Sequence, residues 1–435
     1  MMENPRASTT LSIALMVLAM PFSGLGAQEQ EPLRLEDLVR MARERSPRVR
    51  AANQQVEATR SREPGSGLLP DPTFQVGVMN LALPEFSASM PASMAPTFQA
   101  MQRFPIAGKL SLREEVARQS TEIDLAASEE VWWEVRTDVA AAFYRIYQVD
   151  RQIEVMEGTL GLLQAFETIA QSLYASGTGR QADVLRANVE VARMEAEIER
   201  MRAVRTGTAS RLNALVDRPA STQVGSPLLD PLPAAVPGQP ILREQALETR
   251  PALAQLQMEI DRAGTRRTLA EKEIWPDLTV GLQYGLGRMA GDYKSMGGAS
   301  VGFSIPVHAG KRQLKARDEA AAMEGMIEAQ FDNALALVDA RVGEVLANLE
   351  QARTLIRLYR EEILPQARAT VESSLSSYRV GAVDFMTLID AQMAVNRFEG
   401  EYFGLLASYG TNIAHLEMTI GRDLPVTDEL LVEEE

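Results

Sequence analysis

Few residues in this chain have the types and spacing that chemistry needs. The two histidines, His308 and His415, are far apart and show no ligand spacing. There is no cysteine, which excludes disulfides, thiolate metal sites, a cysteine nucleophile and an acylated N-terminal anchor. Gly177-Thr-Gly179 lacks the preceding strand of a nucleotide-binding glycine loop. Arg180-Gln-Ala-Asp183 reads as a charged turn, and Glu195 to Arg205 as a solvated helix face with i,i+4 pairs. No catalytic constellation emerges. The expectation is a protein that is not an enzyme and has neither a cofactor nor a resident metal.

The polar residues left over cluster at a stretch that occurs twice. One copy reads Tyr174-Ala-Ser-Gly177-Thr-Gly179-Arg-Gln-Ala-Asp183. The other reads Tyr378-Arg-Val-Gly381-Ala-Val-Asp384 and runs on to Ile389-Asp390-Ala391-Gln392. Tyr378 lies 204 positions after Tyr174 (378 − 174), and Gly381 keeps the same offset from Gly177. Both copies predict helix, glycine turn, helix, and two copies at one offset predict a duplicated architecture.

Composition narrows what that architecture can serve. The chain has 435 residues and a net charge of −15, which argues against nucleic acid because nothing would neutralise phosphates. Arg6, the short apolar run Leu11 to Met20 and the small-residue stretch Leu25-Gly26-Ala27 predict an export signal over residues 1–27. No later segment reaches the ~18 apolar residues of a transmembrane helix. Any membrane insertion must therefore use strands.

The elements follow in order, twice. Leu38, Ala42, Val49, Ala52 and Val56 mark a helix face interrupted by Pro47, and Leu242, Ala246 and Pro251 repeat the start of it. Strand pairs come next. Thr73 to Met79 and about Pro96 to Phe104 form the first. Leu278 to Leu286 and Ala299 to Ile305 form the second. Leu278, Val280, Leu282, Tyr284 and Leu286 alternate with Thr279, Gly281, Gln283 and Gly285, so one face is apolar and the other small and polar. Each pair leaves through a proline-to-lysine exit, Pro105 to Lys109 and Pro306 to Lys311. Long helices follow. Trp132, Val135, Val139, Ala142, Ile146, Val149, Ile153, Met156, Leu160 and Leu163 make a heptad seam. So do Leu335, Val338, Val342, Val345, Leu349, Ala352, Ile356, Tyr359 and Ile363, with Pro365 expected to kink that helix. A helix from Lys109 to about Ser176 would run about 100 Å at ~1.5 Å per residue. The expected organisation is a first repeat over 28–218, a proline-rich linker over 219–240, a second repeat over 241–425, and a disordered acidic tail over 426–435.

Geometry then demands oligomerisation. Four amphipathic strands of membrane-spanning length cannot close a barrel, and open edges in lipid cost several kcal/mol per unsatisfied group. Two chains would supply eight strands and a plugged interior; three would supply twelve and room for a channel, which the small, polar inner face favours. Val280, Leu282 and Val301 are expected to face lipid, Gly281 and Gln283 the lumen.

The ordered set of signal, helix, strand pair, heptad helix, Tyr-x-x-Gly turn and returning helix, all repeated, resembles the TolC-like outer-membrane efflux protein family over the whole mature chain. The resemblance implies a mostly α fold with a small β part: a homotrimeric α-helical periplasmic barrel capped by a shared 12-stranded β-barrel in the outer membrane. It implies a passive exit duct joined through a periplasmic adaptor to an inner-membrane pump, of the resistance-nodulation-division type. It places the closed periplasmic tip at the turns of Gly177 and Gly381, which with Asp384 would contact the adaptor. It matches Asp390 to a pore-facing acidic ring, and Asp183 and Tyr378 to a network between neighbouring helix pairs. Two positions depart from the pattern: Thr387 replaces an acidic residue and Val383 an arginine, so Arg180, Arg186 or Arg379 would have to substitute. The loop carrying Met79, Met90, Met94 and Met101, followed by Phe104 to Lys109, is similar to members that accompany heavy-metal pumps, and thioether sulfur suits soft ions such as Cu(I) and Ag(I). Other substrates, drugs or small molecules, stay open. Two rival readings are a periplasmic adaptor, which carries one hairpin where this chain has two, and a coiled-coil scaffold, which needs no amphipathic strands.

Overall fold

A computed structural model describes residues 32–79, 95–289, 292–425 and 429–430. The expected signal segment, Met90, Met94 and most of the acidic tail lie outside these residues.

The first half runs α1 (Leu35–Arg45), α2 (Pro47–Arg60), a short α3 (Glu63–Ser66), β1 (Thr73–Met79), β2 (Ala95–Phe104), α4 (Lys109–Ala175) and α5 (Gln181–Leu215). A two-residue strand β3 (Leu232–Pro233) marks the connection. The second half runs α6 (Gln239–Thr249), α7 (Pro251–Lys272), β4 (Leu278–Met289), β5 (Asp292–Phe303), α8 (Gln313–Leu358), a π-helical turn (Tyr359–Ile363), α9 (Leu364–Arg379), α10 (Phe385–Ile420) and β6 (Glu429–Leu430). Pro47 and Pro251 each stand in the first turn of a helix, where the missing N–H would be unpaired anyway.

The helices are held by two separate apolar clusters. The larger belt joins Val135, Val139, Phe143 and Ile146 of α4 to Leu212 of α5, Val338 to Ile356 of α8, and Leu406, Tyr409 and Leu416 of α10. Gly410 of α10 lies against the Tyr144 ring so closely that a Cβ there would collide with it. The smaller cluster joins Leu163, Phe166 and Ala170 of α4, Ala187 and Met194 of α5, Tyr378 of α9, and Phe385, Leu388 and Ile389 of α10. The heptad seam of α4 thus feeds both clusters.

Polar groups tie the belt together. Arg136 donates to Glu417 (2.7 Å) and Asp423 (2.6 Å), while the Leu424 N–H donates to the other Glu417 oxygen at 3.0 Å. Burial pushes the Glu417 carboxyl up, and the Arg136 charge opposes the shift. The Tyr409 hydroxyl donates to Pro233 O (2.6 Å) from a buried position. The connection between the halves is therefore a packed part of the belt, with Val224 and Leu232 buried in it. Glu429 and Leu430, expected in a disordered tail, pair with Pro233 and Leu232. Backbone pairing overrides the charge of that segment.

Two further expectations are corrected. The returning strand of the second pair starts at Asp292 and ends at Phe303, whereas Ala299 to Ile305 was the expected span. Its first half, with Lys294, Gly297 and Gly298, carries no strand signal of its own; the ladder to β4 imposes the conformation. Pro365, expected to kink its helix, stands just after a π-helical turn. The π-helical turn just before it absorbs the clash of the proline ring and its missing donor. The extra residue shifts the seam, so that Leu364 is buried where Ile363 was expected. Finally, Glu195 to Arg205 is more than a solvated face. Its local pairs are i,i+3 (Arg200–Glu197, Arg202–Glu199), while Arg202 also reaches Glu157 and Arg205 reaches Asp150, both on α4.

Four of the strands form one antiparallel sheet in the order β1-β2-β4-β5. Register sets Phe98 opposite Val76 and Tyr284, and Gln99 opposite Gln75 and Gln283. One face therefore carries Phe74, Val76, Phe98, Leu282, Tyr284, Val301 and Phe303, all exposed. The other carries the glutamine row with Gly281, Ser300 and Met101. Among the described residues, the outer edges of β1 and β5 have no partner strand.

Lys109 closes the seam between the halves. It is buried, and its Nζ donates to Trp275 O (2.7 Å) and Asp277 Oδ1 (2.8 Å), with Glu273 at 3.5 Å. Ala107 and Gly108 take left-handed backbone (φ 64° and 77°) to swing the chain from β2 into α4 and aim the lysine inward.

Candidate functional site at the helical tip

The two glycine turns end the two helical hairpins and share one apolar cluster. At the first, Gly177 takes φ 77° and its N–H donates to Tyr174 O at 3.0 Å. At the second, Gly381 takes φ 73° and donates to Tyr378 O at 3.0 Å. A side chain would be strained at either position. Gly179 is constrained differently: a Cβ there would meet the Leu173 and Tyr174 backbone within 3 Å.

The turns then diverge. Tyr174 is half exposed, whereas Tyr378 is buried against Phe385 with ring centroids 5.4 Å apart. The Tyr378 hydroxyl is buried too, yet has no hydrogen-bond partner among the described residues. Burial raises its pKa, and the negative charge of Asp183 on α5 raises it further. Asp183 and Tyr378 are therefore electrostatic neighbours across the two hairpins.

Asp384 caps α10. Its Oδ1 accepts the Thr387 N–H at 2.9 Å and the Thr387 hydroxyl at 2.7 Å. Those bonds hold its carboxyl below the usual range, and Arg186 and Arg180 of the other hairpin add to the effect. Thr387 is thus tied to the cap. Asp390 stands on the exposed face of α10. Asp183, Tyr378, Asp384, Arg180 and Arg186 come together at the junction of the turns; Asp390 lies further along α10.

Sequence reading overlooked the charged groove above the tip. Glu190, Arg193 and Glu197 of α5 face Gln148 and Gln152 of α4 and Arg397 and Glu401 of α10 around a cavity of ≈ 480 Å³. No pattern in a single helix signals it, because three helices contribute.

Paired hairpins ending in such a tip, with a four-stranded sheet at the far end, constrain the family strongly. The family model for outer membrane efflux proteins matches residues 38–217 and again 242–422. The chain belongs to the outer membrane efflux protein family. A curated relative, the cobalt-zinc-cadmium resistance protein CzcC of Cupriavidus metallidurans, is 22% identical over 407 residues, covering 90% of each chain. Two solved structures share the fold. The outer membrane protein VceC from Vibrio cholerae has a TM-score of 0.75 at 16% identity, over 89% of this chain and 96% of that one. The open state of the Neisseria gonorrhoeae MtrE outer membrane channel has a TM-score of 0.72 at 16% identity, over 89% of each. This outer membrane efflux protein thus serves as an efflux channel of the outer membrane. Neither the adaptor nor the scaffold reading has support among these relatives.

Proposed function

We propose that the protein works as a homotrimeric exit duct, joined through a periplasmic adaptor to an inner-membrane pump of the resistance-nodulation-division type, with its resting gate at the helical tip. The observation that carries the assembly is the four-stranded sheet with an apolar face and two edges unpaired among the described residues. Lipid does not tolerate such edges, and three copies supply twelve strands around a small, polar lumen. The gate reading draws support from Tyr378, whose buried hydroxyl finds no partner among the described residues. Asp183 and Tyr378 belong to the contacts that keep neighbouring hairpins together, Asp390 to an acidic ring on the pore axis, and Gly177, Gly381 and Asp384 to the surface the adaptor grips. Asp390 carboxylates around a narrow axis attract cations and repel anions. The name of CzcC supports heavy-metal cations as cargo.

Single-channel recording tests the gate. Asp390→Ala is expected to weaken cation selectivity and divalent-ion block, and Asp183→Ala with Tyr378→Phe to raise resting conductance. Unchanged selectivity and block in Asp390→Ala would remove Asp390 from the pore. Light scattering tests the assembly, where a stable monomer or dimer in detergent would refute it.

A further inference from the structure

The seam between β2 and β4 is locked by Lys109, which follows β2, reaching Trp275 O and Asp277 just ahead of β4. The sequence holds a second copy of both halves of this lock. Lys311 follows β5 through the matching proline-to-lysine exit, and Leu69-Pro70-Asp71 precedes β1 as Trp275-Pro276-Asp277 precedes β4. Within one chain these halves cannot meet, because β1 and β5 are the opposite edges of the sheet. Lys311 and Asp71 are both exposed.

We infer that Lys311 of one protomer and Asp71 of the next form an intermolecular copy of the Lys109 lock, with the lysine donating to the Asp71 carboxylate and the Leu69 carbonyl. The inference rests on the trimeric reading above and names the contact that closes the barrel.

Register supports it independently. Laying β5 and a neighbour's β1 side by side as β2 and β4 lie, proline on proline, sets Phe303 opposite Phe74 and Val301 opposite Val76. All four are among the most exposed apolar side chains, at 61%, 76%, 66% and 75%. They share the apolar face, so this alignment makes that face continuous. A slip of one residue would put Phe74 beside Gly302 and send every side chain to the wrong face. The second exit is one residue longer than the first, a difference the flexible four-carbon lysine stem spans. An ammonium buried at a seam is costly unless paired. The lock therefore penalises wrong registers as well as holding the right one.

The test uses the full chain purified in detergent and a zero-length carbodiimide, which joins a contacting ammonium and carboxylate as an amide. The expected result is covalent dimer and trimer on denaturing gels, and a tryptic peptide linking Lys311 to Asp71. Lys311→Met and Asp71→Asn should each remove that peptide and lower the temperature at which the trimer dissociates. The exchange Lys311→Asp with Asp71→Lys should restore both. A trimer that lacks the linked peptide, and that dissociates at the wild-type temperature in Lys311→Met, overturns the lock alone. A monomer by light scattering overturns the trimeric reading and the lock with it.

Discussion

The belt and the tip are built from the same long helices, yet they are held in opposite ways. In the belt, buried aliphatic and aromatic residues from α4, α5, α8 and α10 are joined by charge pairs that reach across the chain, such as Arg136 with Glu417 and Asp423. The connection between the halves is threaded into it, and Tyr409 has a partner for its hydroxyl. At the tip the apolar cluster is smaller, the turns are short, and Tyr378 buries a hydroxyl with no partner among the described residues. An unsatisfied buried hydroxyl costs roughly 1–3 kcal/mol. The difference teaches where movement belongs: the belt draws buried residues from four long helices and ties them with charge pairs distant in sequence, whereas the tip rests on a smaller cluster.

Substitutions can break this contrast. The largest effect is expected from Arg136→Met, which leaves Glu417 charged among buried groups and should cost about 3–5 kcal/mol. It should appear as a lower global melting temperature, with proteolysis at the tip unchanged. Phe385→Ala removes a ring that is fully buried at the tip and should cost a similar ~3–5 kcal/mol locally. Here the signature is reversed: faster tryptic cleavage at Arg180 and Arg379, with little change in the global melt. If both variants melt the whole protein equally, belt and tip are one cooperative unit. Gly381→Ala places a side chain at φ 73° and should destabilise the turn by about 1 kcal/mol, read as faster hydrogen exchange over residues 378–384.

The smallest effect concerns pH. Asp384 has a lowered pKa in the folded protein. Its capping contribution is therefore complete above the ordinary aspartate value of about 3.9 and is lost as pH falls through the folded value. Protection of the Thr387 amide, its exchange taken relative to the intrinsic rate at each pH, should fall on acidification, and Asp384→Asn should flatten that dependence.

Much of this fold could be read from residue order. The seam of α4, the alternation of β4 and the two glycine turns rest on local periodicity, which a single segment carries. What stayed hidden depended on distant partners. Lys109 reads as the end of a turn, and only the packed structure shows it bonded to Trp275 and Asp277. The first half of β5 has the composition of a loop and is a strand because β4 pairs with it. At the tip, Asp183, Tyr378 and Asp384 stand in the repeated stretch, and their candidate roles came from the family resemblance. The empty hydrogen-bonding capacity of Tyr378 was not visible there, since burial comes from Phe385 and its neighbours.

The π-helical turn at Tyr359–Ile363 acts as a shim. Each residue of an α-helix turns the chain by about 100°. Trimming one residue there would return the hairpin to an unbroken seven-residue rhythm and rotate the whole of α9 relative to α8. The side of the hairpin on which Tyr378 emerges is thus fixed by a spacer far above it. Hairpins of this kind can be re-aimed by a single inserted or deleted residue, with no change to the tip itself.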